Sequence, residues 1–128
     1  MSVIAAPSRP GRLAISGPRP DVHVIAVEGA LDPVAAIRLL RLVDARIRLR
    51  ALGTGSTRHI VLDLTDVDSA TTSGIETLIR AARNAEAHGI GLHVVGFGGV
   101  AGRLPLEARQ LVGRLSRYPD LAAALHAL

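Results

Sequence analysis

The chain has 128 residues, 48% of them apolar, which excludes a disordered chain and supports one domain with a single core. Its net charge is +4, and it has no cysteine, which excludes disulfides and thiolate chemistry and fits a cytoplasmic location. No apolar run approaches the roughly 18 residues of a membrane span. We expect a flexible tail at residues 1–11, which lack a secretory signal, then a single domain at 12–128 with no membrane insertion.

The basic residues number fifteen, and all of them are arginine. A positive charge is typical of proteins that bind nucleic acid. However, the arginines are scattered, only one Phe and one Tyr are available for base stacking, and no binding motif occurs. We therefore interpret them as solvated surface and expect no nucleic-acid partner. Arginine without lysine, with much Ala, Gly and Leu, is typical of a GC-rich bacterial genome.

The first part of the domain reads as a hairpin and a helix. The apolar runs Arg12–Ser16 and His23–Val27 flank residues 17–20, a glycine- and proline-containing stretch that predicts an antiparallel turn. Asp32 precedes Pro33, the favoured first residue of a helix, and is the expected N-cap. Gly53 is expected to stop this helix.

The two sides of this first helix differ. Its predicted apolar stripe consists of Ala36, Leu39, Leu40, Val43 and Ile47. Arg38, Arg41 and Arg48 fall together on the opposite side. This arginine side is either a solvated face or a docking surface for an acidic partner.

Residues 59–96 predict a strand, a loop, a helix and a second strand. His59–Leu64 and Gly91–Val95 are short apolar runs typical of strands covered on both faces. The helix between them ends at residues 87–89 and has one apolar face, formed by Ile75, Leu78, Ile79 and Ala82. So short a connection indicates a parallel, right-handed βαβ unit.

The loop before this helix carries three consecutive hydroxyls, Thr71, Thr72 and Ser73, followed by Gly74. The unpaired N–H groups and the positive dipole end of a helix start favour negative charge there. Ser73 and Glu76 fit a capping box, so Ser73 is the expected N-cap. Gly74 is expected where another backbone or a partner approaches closely. The hydroxyls either cap the helix or accept a phosphate that backbone N–H groups would hold.

Three motifs in chain order resemble the STAS domain, the family of bacterial anti-sigma factor antagonists. The family has Asp-Leu, then Val, then Asp-Ser-Ser/Thr-Gly-Leu opening a helix, and the same spacing joins Asp63-Leu64, Val67 and residues 71–75. The family's Gly-x-Leu-Asp is similar to residues 29–32, and its last helix is similar to Tyr118-Pro119-Asp120-Leu121 and the Ala/Leu segment that follows. The resemblance covers roughly residues 12 to 128.

One position departs from the family pattern. The Asp before the phosphorylated hydroxyl is Thr71 here, and the acceptor position, usually Ser, is Thr72. Asp68-Ser69 imitates the missing dipeptide, but it lies six and five residues before Gly74 and is out of register. Ser69 is therefore interpreted as the end of the strand that leads to the loop. The resemblance implies phosphorylation of Thr72, with Ser73 and Thr71 as poorer candidates.

The resemblance implies a STAS-like α/β fold, a mixed sheet of four to five strands with helices mainly on one face. It also implies a partner-switching regulator. Unphosphorylated, the protein would bind an anti-sigma factor serine/threonine kinase and free the sigma factor, and phosphorylated, it would let go. The alternative, favoured by the missing Asp, is a non-phosphorylated STAS module that serves as a scaffold or as an accessory subunit of a membrane transporter.

The segment after Gly96 predicts a flexible loop, a helix, a short strand and a last helix. Phe97–Gly102 is rich in glycine, and Pro105 begins or interrupts a helix that carries Leu106, Ala108, Leu111 and Val112. A fifth strand is expected near Leu115 and a terminal helix over Pro119–Leu128.

The carboxyl ends of neighbouring parallel strands share one edge of a sheet. We therefore expect a partner-binding surface where the loop after Gly96 meets Asp32, Thr71, Thr72, Ser73 and Gly74. The five histidines lack metal-ligand spacing, and no nucleophile elbow or Walker loop occurs. Asp63, Asp66 and Asp68 lie on or near a strand, and there they could not all converge on one metal without other ligands. We expect no catalytic residues, no metal site and no cofactor.

Overall fold

The computed structural model describes residues 10–98, 104 and 106–128. Within these residues the chain forms five strands and four helices. In chain order they are β1 (Arg12–Arg19), β2 (Val22–Leu31), α1 (Pro33–Ala51), β3 (His59–Ala70), α2 (Thr72–Ala87), β4 (Gly91–Val95), α3 (Leu106–Val112), β5 (Ser116–Tyr118) and α4 (Leu121–Ala127).

The five strands form one mixed sheet in the order β1-β2-β3-β4-β5. β1 and β2 are antiparallel, whereas β2, β3, β4 and β5 run parallel. Parallel neighbours require crossover connections, and helices α1 and α2 supply the first two. The predicted α/β fold with a mixed sheet is confirmed.

Both faces of the sheet are covered, which explains the uninterrupted apolar run at the start of β3. Successive side chains of a strand point to opposite faces. Ile60 and Leu62 accordingly belong to the larger core beneath α1, α2 and α3, while Val61 packs in a smaller core with Ala124 of α4. All four residues are fully buried. Three helices on one face against one on the other agree with the prediction.

Helix α1 begins and ends where the sequence predicts. The carboxylate of Asp32 accepts the N–H of Ala35 at 2.9 Å, and Pro33 occupies the first helical position. Gly53 follows the C-cap residue Leu52 with a φ of +73°, a left-handed conformation that glycine adopts without strain. The buried residues of the predicted stripe are Ala36, Leu39, Val43 and Ile47, with Leu40 half-buried.

The β1–β2 hairpin turns later than the sequence predicts. β1 continues through residues 17 and 18 to Arg19, and only Pro20 and Asp21 connect it to β2. The pairing register shifts between Ser16 and Arg19, so the glycine and first proline lie in a bulge rather than in the turn. β1 is an edge strand of the described sheet, where a proline without an N–H is tolerated.

Strand β3 is longer than the predicted His59–Leu64, since it extends to Ala70. Two register shifts in its pairing with β2 let it continue past the polar residues that follow Leu64. Ser69 pairs with Ala30 near the end of the strand, which confirms its interpretation as part of the approach to the loop.

The carboxyl-terminal elements agree with the predicted strand and terminal helix. Asp120 caps α4, because its carboxylate accepts the N–H of Ala123 at 2.8 Å. The predicted helix is present as α3 and carries the four residues named for it. Ala108 and Val112 are buried, but Leu106, the first residue of the helix, is 63% exposed.

Some predictions fall on residues outside those described. These are residues 1–9 of the tail predicted at 1–11, residues 99–102 of the loop predicted at Phe97–Gly102, and Pro105. Phe97 itself is buried in the larger core. No helix in the described part of the chain combines the length and apolar character needed to cross a membrane.

Candidate functional site

The ends of β2 and β3 place two helix starts side by side. Leu31 pairs with Ala70, and the N–H of Thr71 donates to the carbonyl of Leu31 at 3.2 Å. Asp32, the N-cap of α1, therefore leaves the sheet beside Thr71, the residue before α2. We call the surface formed by Asp32 and residues 71–74 the rim. The structure brings together the five residues predicted to bind a partner.

The N-cap of α2 is Thr71, so the prediction of Ser73 is wrong. The hydroxyl oxygen of Thr71 accepts the N–H of Gly74 at 2.9 Å, and its backbone is extended. Ser73 is the second helical residue and already has helical geometry. A capping box needs a side chain at the third helical position, which is Gly74, so Glu76 cannot complete one.

The three hydroxyls of the rim differ in their hydrogen bonds. Thr71 Oγ1 lies 3.2 Å from Ser73 Oγ in addition to its capping bond, and both side chains are thus engaged. The hydroxyl of Thr72, which is half-buried at the first helical position, makes no hydrogen bond to the described part of the chain. A group attached to Thr72 would leave the cap intact.

Gly74 lies where another backbone passes closely, as the sequence predicts. It is buried, and a Cβ there would overlap the carbonyl oxygen of Leu31 and lie 3.1 Å from Thr71 Oγ1. The approaching backbone is the end of β2. The sequence gives no indication that the carbonyl of Leu31 is the group that approaches Gly74, although Leu31 directly precedes Asp32 in the Gly29–Asp32 motif.

The strand that leads into the loop after Gly96 ends away from the rim, whereas most of the loop itself, which the sequence predicts to meet the rim, lies outside the described residues. β4 ends with Val95 opposite Asp63, which lies seven residues before the last residue of β3. Gly96 contacts Thr65 instead. β4 has five residues and β3 has twelve, so the two strands end at different levels of the sheet.

Two histidines form a pair that sequence spacing does not reveal. His59 Nδ1 lies 3.2 Å from His93 Nε2 across β3 and β4, and His93 Nδ1 lies 2.8 Å from the hydroxyl of Ser116. Burial, and then the charge of His59, lower the pKa of His93, which favours a neutral ring. The alternation of side chains on adjacent strands is the signal that could have placed them on one face.

A cavity on the sheet lies outside the rim, since none of its lining residues belongs to the rim. The described residues contain no cluster of three His, Cys, Asp or Glu side chains that could hold a metal ion. A cavity of about 290 Å³ opens over β1, β2 and β3. Arg12 and Glu28, which both line it, form an ion pair in which Nη1 of Arg12 lies 3.8 Å from Oε1 of Glu28. The cavity is also lined by Leu13, Ala14, Ala26, Val27, Asp63 and Asp66.

Replacing Thr71 with alanine is expected to lower the free energy of unfolding by about 1 kcal/mol, because the N–H of Gly74 loses its acceptor. Urea unfolding followed by circular dichroism measures this loss. Ser73→Ala and Thr72→Ala are the matched controls and should each change stability by less than about 0.5 kcal/mol. A larger loss in Ser73→Ala than in Thr71→Ala would place the cap at Ser73.

The sequence matches the family model of the STAS domain over residues 13–124. The chain therefore belongs to the STAS domain family. No curated protein sequence matches it significantly.

Solved structures share this fold over most of the chain. An anti-sigma factor antagonist from Mycobacterium paratuberculosis has a TM-score of 0.71 and 24% identity, with coverage of 92% of this chain and 93% of that chain. The phosphorylated form of the Bacillus cell fate determinant SpoIIAA has a TM-score of 0.64 and 12% identity, with coverage of 91% and 100%. The murine anion transporter Slc26a9 has a TM-score of 0.59 and 15% identity, and the match covers 85% of this chain but 18% of the transporter.

Proposed function

We propose that the protein is a partner-switching regulator of the anti-sigma factor antagonist type. Unphosphorylated, it binds an anti-sigma factor serine/threonine kinase through the rim, and phosphorylation of Thr72 releases that partner. The observation that carries the proposal is the state of the Thr72 hydroxyl, which has no hydrogen-bond partner among the described residues while its neighbours Thr71 and Ser73 are engaged. We propose further that it acts in the bacterial cytoplasm without catalytic activity or a cofactor.

The rim is suited to a phosphate on electrostatic grounds. Both α1 and α2 begin there, so two sets of first-turn N–H groups and two positive dipole ends face the same region. A phosphate on Thr72 adds a charge of about −2 to a surface that already carries Asp32. The added charge and bulk change what a partner meets at the rim, while the cap and the sheet stay in place.

Thr71 retains one property of the aspartate that the family has at this position, the ability to cap the helix, and lacks the other, a negative charge. An aspartate and a threonine can both cap a helix, and Thr71 does so here through its hydroxyl. What the substitution removes is a negative charge next to the acceptor. The fold therefore keeps its helix start, whereas the kinase meets a neutral residue beside Thr72.

The missing charge at position 71 favours a second candidate function. A STAS module that is not phosphorylated would serve as a scaffold in a larger complex or as an accessory subunit of a membrane transporter. The likeness to the domain of the murine anion transporter supports this candidate at the level of the fold. The two candidates differ in whether a negative charge at Thr72 changes partner binding.

Phosphorylation of Thr72 is expected when the protein is incubated with the anti-sigma kinase of its host and ATP, and phosphopeptide mass spectrometry locates the modified residue. Thr72→Ala should abolish the modification and keep the binding. Thr72→Glu should weaken kinase binding at least about tenfold in a calorimetric titration, since a charge is added within the contact surface. Thr71→Asp should speed the phosphorylation by restoring the charge beside the acceptor.

Thr72→Gln is the matched control for Thr72→Glu, because it has the same shape without the charge. It should bind the kinase as well as Thr72→Ala does. If no host kinase modifies the loop and Thr72→Glu binds partners like the unmodified protein, the switch is absent and the scaffold candidate replaces it.

A further inference from the structure

The outward face of α1 carries most of the exposed large apolar side chains. Six such residues occur in the described part of the chain, and four of them lie on α1 or at its C-cap: Val34 (62% exposed), Ile37 (46%), Leu49 (37%) and Leu52 (69%). Single exposed apolar residues are ordinary on a protein surface, but their concentration on one helix face is typical of a binding site.

These apolar residues lie along one stripe. Its members recur at alternating intervals of four and three residues, the heptad spacing with which one helix meets another. The central positions are Val34, Arg38, Arg41, Ala45, Arg48 and Leu52, all of them exposed. Ile37 and Leu49 flank this line. The opposite side of the helix is buried in the larger core. One side of α1 therefore packs in the core, and the other is exposed to solvent.

The centre of the stripe carries unpaired positive charge. α1 has five arginines against one aspartate, a net charge of +4. Among the described residues, the ion pairs within 4 Å join Arg12 to Glu28 and Arg19 to Asp21, and neither includes an arginine of α1. Arg38, Arg41 and Arg48 are exposed, and no acidic side chain of the described residues lies within 4 Å of their guanidinium nitrogens. The stripe is apolar towards its ends and cationic in between.

We propose that the outward face of α1 docks an acidic amphipathic helix of a partner protein. Glutamates in the middle of such a helix would pair with the arginines, and apolar residues towards its ends would cover Val34 and Leu52. The matching length is about 28 Å, that of α1 itself. This interface is separate from the switching function of the rim.

Two other occupants fit the stripe less well. A second copy of the chain would bring the arginines of one α1 against those of the other, and like charges in a contact are unfavourable. A membrane surface requires a continuous apolar side with the cations on the other side, whereas here the arginines lie in the centre of the stripe. An acidic helix satisfies both the charge and the apolar ends.

The probe for this surface is a synthetic helical peptide of about 20 residues, with leucines towards both ends of one face and glutamates between them. Its affinity for the whole protein is measured by fluorescence anisotropy, and a dissociation constant on the order of 10 μM is expected. The double variant Arg38→Glu/Arg41→Glu should weaken binding at least about tenfold, and Leu52→Ser should also weaken it. Raising the salt to about 0.5 M should reduce the affinity.

The matched control is Arg80→Glu/Arg83→Glu, which reverses two exposed arginines on α2. This control should leave peptide affinity unchanged, and so should Thr72→Glu, which separates this interface from the rim. The proposal is overturned if the peptide does not bind, if a peptide with glutamine in place of glutamate binds equally well, or if the α2 control weakens binding as much. If the peptide does not bind, two other results would assign the surface to a different occupant. Self-association that is lost in Arg38→Glu/Arg41→Glu would assign it to a second copy of the chain. Binding to vesicles containing phosphatidylserine that is lost in the same variant would assign it to a membrane surface.

Discussion

Replacing Gly74 with alanine is expected to lower the free energy of unfolding by about 3 kcal/mol. The added Cβ would overlap the carbonyl oxygen of Leu31, which is fully buried at the end of β2. This carbonyl also accepts the N–H of Thr71, so it cannot withdraw without breaking the bond that joins the two strand ends. Helix propensity alone predicts the opposite sign, since alanine is favoured over glycine in a helix by about 1 kcal/mol.

Urea unfolding of the two proteins measures this difference. Gly17→Ala is the matched control, because a Cβ at Gly17 meets its nearest neighbour, the carbonyl oxygen of Val22, at an ordinary 3.9 Å. It should change stability by less than about 0.5 kcal/mol. If Gly74→Ala were as stable as the unmodified protein, the backbone at Leu31 could move away from the added methyl group at little cost. The close packing of Gly74 against the end of β2 would then contribute little to stability.

The two helix starts of the rim show what the sequence could and could not predict. Asp32 was predictable as a cap because it stands alone before Pro33. Residues 71–73 offer three hydroxyls in a row, and each is chemically able to cap a helix. The choice depends on where β3 ends, and that is set by its pairing with β2 through two register shifts. Local sequence contains no signal for those shifts, so it predicts the cap two residues too late.

The full length of β3 is not predictable from the sequence for a related reason. Asp63 and the polar residues after Leu64 interrupt the apolar run, and this pattern predicts that the strand ends at Leu64. In the structure β4 ends opposite Asp63, so the remainder of β3 pairs only with β2. Its polar side chains reflect this lower burial, and Thr65 donates both its N–H and its hydroxyl to the carboxylate of Asp63. Such a half-covered strand resembles a loop in sequence.

The placement of residues on faces was more predictable than the boundaries of elements. The buried side of α2 includes all four predicted residues, since a period of 3.6 is maintained over a long helix. The contact between His59 and His93 was not predictable, because it depends on the register of two strands that are distant in sequence. Periodicity is local information, whereas register and strand ends are tertiary.

Replacing Gly96 with alanine is expected to lower the free energy of unfolding by about 4 kcal/mol. Two separate causes contribute. Gly96 has a φ of +72°, which costs a residue with a Cβ roughly 1 kcal/mol or more. A Cβ would also lie 2.7 Å from both the N and the Cα of Thr65, and a backbone in the middle of a sheet cannot move aside cheaply.

Gly53→Ala separates these two causes. Gly53 has nearly the same conformation, with a φ of +73°, but none of the described residues places an atom within 4 Å of its Cβ position. Its replacement should cost about 1 kcal/mol, the conformational part alone. The excess loss in Gly96→Ala then measures the steric cost of placing a methyl group against the backbone of Thr65. Equal losses in the two variants would mean that this backbone yields at no measurable cost, and that the close approach of Gly96 to β3 does not require a glycine.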